Sequence, residues 1–457
     1  VSVDTLVTGA SVVFEDGVAE CDLLLDGGKI AGIVTAGASV AAANVVNALG
    51  LVAFPGIVDP HAHFGLGSRD DWATESRAAA LGGVTTVLNY VQSKLSYLEF
   101  VPEELERAAD LSVVDFDFHP ILMNEQHLSE LDACVDELGL LSFKYFANFK
   151  GNEGAYLGVD GTDTGFFFAL CRAVARHPRA LLAVHPENIE VVWRLAPELK
   201  DAGRDDLAAW TESRPDFVEA HDIATACLFA EQTGCRIYIP HLSAICGLDV
   251  ARRLRPRRAV LTLETCPHYL TQTSSSSAGT LAKVNPPLRT DADVEALWAA
   301  IRDGTISVIG SDHLPRARAA KEGTIWTASA GFPGVTTLLP LMLSEGHHKR
   351  GIPLERLAAL LSGNASRTFG LRTKGRIAVG ADADITLVDL QREVVVDSST
   401  FGSNADYSIW DGWSVRGWPV RTILRGETVM LEGEILAPAG VGRRVLRDTA
   451  RESALHA

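Results

Sequence analysis

An eight-stranded α/β barrel carrying a smaller β domain built from both chain ends is the fold this sequence predicts, and three observations predict it. Between residues 55 and 370, short apolar runs alternate with Ala- and Leu-rich helical stretches such as "WATESRAAALGG" and "DADVEALWAAIRDG", the pattern of repeated βα units. The opening 54 residues instead show short alternating segments between Gly and Asp turns. Similar β-like text returns after Gly370. Eight βα units in about 300 residues are the count and size of a (β/α)8 TIM barrel.

Taken in order, "DTLVTGASVVF" and "ECDLLLDGGKIAGIV" read as antiparallel strands, and residues 1–54 are assigned to the β domain. Barrel strands over residues 55–370 are expected in "GIVDPHAHF" from Gly56, "VTTVLNY" from Val84, "DFDFHPILM" from Asp115, "LSFKYF" from Leu141, "ALLAVHPEN" from Ala180, "RIYIPHLS" from Arg236, "AVLTLETCPH" from Ala259 and "ISVIGSDH" from Ile306. Residues 371–445, with "GRIAVGADADITLVDL" and "WPVRTILRGETVMLEGEIL", are expected to complete a β-sandwich with residues 1–54. Residues 446–457 read as a polar tail, either an arm to a neighbouring subunit or a disordered end.

A formal charge of −17 and the lack of a Lys/Arg block argue against nucleic acid or an anionic membrane and favour a small-molecule ligand. Seven cysteines, an odd number without CxxC, point to reduced thiols in the cytoplasm. No run of about 18 apolar residues is available to span a bilayer. The chain opens on Val1, so an initiator or short leader is expected before it.

Barrels of this kind place their chemistry at the carboxyl ends of the strands. His61, His63, Lys144, His185, His241, Glu264 with His268, and Asp312 all stand there. Strand positions i and i+2 face one side, so His61 and His63 of "DPHAHF" can bind one metal from one face. Asp59 shares their parity and is expected to hydrogen-bond behind them. A lone histidine after an apolar run is ordinary core, whereas several at separate strand ends, together with Asp312, predict ligation.

Lys144 lies inside "LLSFKYFANFK", where burying an ammonium is costly. Either the strand is misread or the lysine has a chemical role. Burial favours the neutral amine, which can add carbon dioxide to form a carbamate able to bridge two divalent ions. Carbamate, Asp312 and a bridging hydroxide would leave the pair a residual positive charge for an anionic transition state. Lys150, beyond the strand end, is expected in solvent.

These stretches resemble the amidohydrolase superfamily, in its cyclic-amide branch of hydantoinases, dihydropyrimidinases, allantoinases and dihydroorotases. "FPGIVDPHAHF" is similar to that family's PGxxDxHxH signature, and "SFKYFANFK" to its carboxylated-lysine segment. "VHPEN" and "PHLS" resemble its third and fourth histidine sites, "ETCPHYL" and "NPPLR" its strand-seven region, and "GSDHLP" its aspartate site. The resemblance covers nearly the whole chain. It implies that His61, His63, Lys144 and Asp312 hold one divalent ion and that Lys144, His185 and His241 hold the other. Zinc is the first expectation, with manganese or cobalt as alternatives. It further implies that a hydroxide between the ions opens a hydantoin-, allantoin- or dihydropyrimidine-like ring, with Asp312 passing the proton to the departing nitrogen. A homodimer or homotetramer is implied as well.

The expected substrate contacts depart from the family pattern. Phe149 stands where D-type hydantoinases and dihydropyrimidinases carry an oxyanion-stabilising tyrosine, so the metal with His268 or a backbone amide is expected to replace it. Phe64 and Gly65 follow the histidine pair where dihydroorotases have an arginine. Asn285 replaces a serine and Ala330 an asparagine at positions that hold the ring's amide edge. Specificity is expected in the loops "FGLGSRDD", "GNEGAYLGVDGTDTG" and "HLPRARAAKEGTIWTASAGFPG", with Trp326, Phe149 and Phe332 lining an apolar pocket. Two further readings are a hydrolase of an acyclic amide, ester or amine, and a non-catalytic scaffold, which the complete ligand set disfavours.

Overall fold

The computed structural model describes residues 2–66, 68, 70–151, 153 and 161–447. It opens with β1 (Ser2–Phe14), β2 (Gly17–Asp26), β3 (Lys29–Thr35), β4 (Ala41–Asn47) and β5 (Val52–Pro55). The barrel strands follow as β6 (Ile57–Ala62), β7 (Val84–Val91), β8 (Asp115–Pro120) and β9 (Ser142–Phe146). They continue as β10 (Leu181–His185), β11 (Arg236–Ile239), β12 (Leu261–Thr265) and β13 (Val308–Ile309). Each falls on a run expected from the sequence. Such strands are covered on both faces, which is why they read as apolar runs without alternation.

All barrel pairings are parallel, with β6–β8 in one hydrogen-bonded sheet and β9–β13 in another. Single bridges join the two sheets at both seams. Ala62 bridges to His313, with His63 N donating to His313 O at 2.9 Å. Ile121 bridges to Lys144, with Leu122 N donating to Lys144 O at 2.8 Å. Both seams therefore run beside residues of the expected site.

After the barrel, β14 (Ile385–Val395), β15 (Ser414–Leu424), β16 (Glu427–Leu431) and β17 (Glu434–Ile435) rejoin the N-terminal strands. One sheet results, ordered β17-β16-β15-β14-β5-β1-β2-β3 with β4 also on β1. Val7, Leu23, Ile30, Leu387 and Ile423 share its apolar core. Because β14 pairs with β5, which runs almost directly into β6, the sheet is anchored to the first histidine strand. Gly56 makes that junction: a Cβ there would meet Thr85 Oγ1 at 2.2 Å. Lys374 adds a buried tie, its Nζ lying 2.5 Å from Asp115 at the start of β8 and 2.6 Å from Asp384 beside β14.

Residues 443–447 differ from the expected sandwich edge and free tail. Phe116 N donates to Arg443 O at 3.0 Å and Val445 N donates to Phe116 O at 2.8 Å, so this segment lies along barrel strand β8. Charge explains the placement. Asp115 and Asp117 are buried at the entrance to β8; Asp115 accepts from Arg443 N at 2.8 Å, and Asp117 pairs with Arg444 at 3.0 Å and Arg447 at 2.5 Å. Of the tail expected over 446–457, residues 448–457 lie outside the described residues.

Candidate metal centre and active site

Strand β6 carries His61 and His63 to the barrel mouth, and both rings reach Asp312 just beyond β13. His61 Nε2 lies 2.9 Å and His63 Nε2 3.3 Å from Asp312 Oδ1. Together the three are spaced closely enough to hold a metal ion. Asp312 and His241 both have left-handed backbone, at φ 50° and 44°. Such conformations are costly for non-glycine residues and concentrate at functional sites.

Asp59 bonds the backbone of His61 and both the backbone and side chain of Ser311. Its Oδ1 accepts from His61 N at 3.1 Å and Ser311 N at 3.0 Å, and its Oδ2 accepts from Ser311 Oγ at 2.5 Å. It thereby clamps β6 to the Asp312 turn. Burial pushes its carboxyl up to about 6, against the pull of the Ser311 bonds.

Glu264 holds the His61 ring and the His241 backbone. Its Oε1 lies 2.7 Å from His61 Nδ1 and accepts from His241 N at 3.0 Å, while Tyr238 donates to its other oxygen. A carboxylate only accepts, so His61 Nδ1 carries a hydrogen toward Glu264, and Nε2 is the nitrogen turned toward Asp312. Burial disfavours a charged His61, but Glu264 and Asp312 overcome it and lift the imidazole to about 9. Burial dominates at His63 and pushes it down to about 4 despite Asp312.

On the far side, His185 Nδ1 lies 3.0 Å from His241 Nε2, and burial holds both rings below the usual histidine range. Lys144 is wholly buried, its Nζ without a hydrogen bond and 4.7 Å from the Tyr90 ring centre. Burial lowers its ammonium to about 8, against Asp312 and Glu264. Altogether His63 Nδ1, Lys144 Nζ, His185 Nε2 and His241 Nδ1 are buried without a hydrogen bond. Each such group costs about 1–3 kcal/mol when left unpaired, so their clustering calls for a ligand. Spaces of about 850 and 620 Å³ lie apart from this site, beside β16 and at the amino-terminal end of the barrel.

Residues 247–429 match the model of the amidohydrolase family. Over 453 residues the chain is 35% identical to an allantoinase of Solibacter usitatus (strain Ellin6076), covering 96% of each protein. The chain belongs to the amidohydrolase family. It is also 31% identical over 458 residues to an L-hydantoinase of Paenarthrobacter aurescens, covering 97% of this chain and 98% of that relative. The solved structure of L-hydantoinase (dihydropyrimidinase) from Arthrobacter aurescens matches with a TM-score of 0.92 at 30% identity, over 97% of this chain and 100% of that one. The family branch is therefore that of the hydantoinases and allantoinases.

In this amidohydrolase the expected substrate residues are placed unevenly. His268 is buried with both ring nitrogens unbonded, and its ring meets Phe332 edge-on at 5.0 Å. Phe149 stacks on Phe146 at 4.4 Å, and Phe146 in turn lies 5.2 Å from His185. Asn285 Oδ1 is already engaged by Trp210 Nε1 at 3.2 Å. Ala330 is half-buried beside Gly331, whose N–H donates to Lys283 O at 3.0 Å. The expected aromatic trio is divided among separate stacks, because Trp326 packs on Trp210 instead. Lys150, expected in solvent, is largely covered and lies 3.3 Å from Glu190. Much of "GNEGAYLGVDGTDTG" and part of "FGLGSRDD" fall outside the described residues.

Several supporting residues were not singled out from sequence. Glu187 lies 3.6 Å from His185 Nε2 and 3.2 Å from Arg214 Nε. His313 Nδ1 accepts from Gly334 N and Val335 N while its Nε2 faces Glu75 at 3.0 Å. Asn89 brackets Phe64, accepting from its N–H at 2.7 Å and donating to its carbonyl at 3.0 Å. Glu187 and His313 sit inside motifs already quoted, so their adjacency to expected ligands was the available signal; for Asn89 it was a polar residue near the carboxyl end of the apolar run "VTTVLNY".

Proposed function

We propose that this amidohydrolase opens the amide bond of a cyclic ureide or imide, using two divalent metal ions held by His61, His63, Lys144, His185, His241 and Asp312. The supporting observation is the pairing of His61 and His63 with Asp312 at the barrel mouth, together with buried nitrogens of Lys144, His185 and His241 that make no hydrogen bond. Imidazole and carboxylate donors suit zinc first, with manganese or cobalt next. Lys144 joins the set as a carbamate. Its neutral Nζ lone pair attacks the carbon of carbon dioxide, an N–C bond forms, one C–O π pair moves onto oxygen, and a proton leaves to solvent. Once bound, the ions supply Lewis acidity toward the ring carbonyl and acidify water.

Asp312 is the proton carrier. Burial raises its carboxyl, but His61 and His63 outweigh that and hold it well below the usual carboxylate range, so it is ionised at neutral pH. It accepts the proton of the attacking water and delivers it to the ring nitrogen as the C–N bond breaks, leaving a carboxylate product. His268, which burial pushes down to about 3, is neutral and offers one N–H to the developing oxyanion. That donor takes the place of the tyrosine hydroxyl absent at Phe149.

The likeness to an allantoinase and an L-hydantoinase supports a ring ureide as substrate; the homodimer or homotetramer that the family resemblance implies is proposed as the assembly. All seven cysteines are free thiols, in keeping with a cytoplasmic setting, and no helix among the described residues is long and apolar enough to cross a membrane. The test is ring opening by zinc-loaded protein across hydantoin, 5-benzylhydantoin, dihydrouracil, allantoin, dihydroorotate, succinimide and glutarimide. Wild type should open at least one ring, and Asp312→Asn should lose about 10²- to 10⁴-fold of that rate. Failure on every ring by protein carrying two ions would refute the cyclic-amide assignment.

A further inference from the structure

The proposed chemistry makes no use of the C-terminal segment, yet that segment reaches into the barrel. At the β8–β9 seam, Ile121 bridges to Lys144 near the mouth. Deeper in, residues 443–445 lie along β8 and Arg447 crosses toward β9, its side chain completely buried. On β8 its guanidinium lies 2.5 Å from Asp117 and donates to Phe118 O at 3.0 Å. On β9 it donates to Ser142 Oγ.

Ser142 precedes Lys144 by two positions and shares its face of the strand. Its hydroxyl also bonds His119 Nδ1, and His119 Nε2 lies 3.2 Å from Pro60 O, next to His61. The bonds have a consistent direction. Burial and Arg447 keep His119 neutral, with one ring hydrogen. That hydrogen goes to Pro60 O, so Nδ1 accepts from the Ser142 hydroxyl, and Ser142 Oγ accepts from Arg447. A single chain of donors thus joins the strands that carry Lys144 and the histidine pair. The seat is built to fit as well: at Gly442 a Cβ would stand 2.1 Å from Val114 O, so only glycine lets the segment lie against the entrance to β8.

We propose that Arg447 is a positioning residue for the metal centre, holding β9 and β6 through Ser142 and His119 in the register that brings Lys144 beside His61 and His63. The proposal rests on the two-metal reading above. Arg447 touches neither substrate nor any expected ligand. Its contribution is the alignment of side chains that must share ions, which requires them to be fixed before binding.

Two variants separate alignment from simple stabilisation. Ser142→Ala keeps the Arg447–Asp117 pair and removes the link to β9; Arg447→Lys keeps the charge but loses the planar fork that reaches both strands. Metal-free protein is titrated with zinc in ¹³C-bicarbonate, with zinc affinity read by competition against a chromophoric chelator and the carbamate read by ¹³C NMR. Both variants should bind zinc about 10- to 100-fold more weakly and show a diminished carbamate signal at limiting zinc, at a temperature where both remain folded. Variants that match a zinc-binding wild type in affinity and carbamate would overturn this proposal alone. A wild type that takes up no zinc would overturn the metal-centre reading and this proposal with it.

Discussion

Lys144 and His268 show how burial alone sets chemistry at a single residue. Lys144 is wholly enclosed, and desolvation brings its ammonium down to about 8, within reach of the neutral form that carbon dioxide requires. His268, at about 3, stays neutral and leaves a measurable trace in stability. Its folded value lies below the unfolded one of about 6.5, so the unfolded chain binds the extra proton between those limits and stability falls as pH drops through that window. In chelator-treated protein, His268→Gln should reduce the loss of stability between pH 6.5 and 5 by about 2 kcal/mol, read from urea midpoints. Equal slopes in the two proteins would mean that His268 is not buried as described. Phe149 supports a kinetic prediction at the same scale: with His268 as donor, Phe149→Tyr should change the ring-opening rate by less than about tenfold, or 1.4 kcal/mol. A larger gain would show that the oxyanion lacks its donor in the natural protein.

Among the elements, the strand ends carry the site and the packing between them is tight. Gly310, at the end of β13, faces the back of the centre: a Cβ there would stand 2.8 Å from His61 Cβ and 3.0 Å from the Glu264 carboxyl. Gly310→Ala should therefore cost about 1–3 kcal/mol of stability by overpacking and turn His61 away from Glu264. Thermal unfolding and zinc affinity should fall together; a fall in neither would show that β12 and β13 can separate freely. The barrel strands were legible because burial on both faces makes each an apolar run ending in a polar residue. His61, His63, Lys144, His185, His241 and Asp312 could each be placed at such an end. Residues 443–447 were not legible, because "RRVLR" has the polarity of a tail and its partners Asp115 and Asp117 lie more than 300 positions away in sequence. Glu264 was visible at its strand end, but its shared hold on His61 and His241 depends on two other strands. The split of Trp326, Phe149 and Phe332 among different stacks depends on helix and loop packing that local text does not encode.

For the whole molecule, both chain ends converge on the barrel that they flank. The N-terminal sheet runs almost directly into β6, Lys374 links Asp384 to Asp115 at β8, and Arg447 completes the contact between β8 and β9. This architecture fixes the end of the barrel opposite the expected ligands with buried charge. The account's central claim is that the six side chains at the mouth hold two ions bridged by a modified Lys144. Anomalous diffraction from crystals grown with zinc and bicarbonate tests it most directly. The account predicts two zinc peaks, one beside His61, His63 and Asp312 and one beside His185 and His241, with the Lys144 density extended by a carboxylate between them. A single peak, or two peaks beside an unmodified lysine, would contradict it.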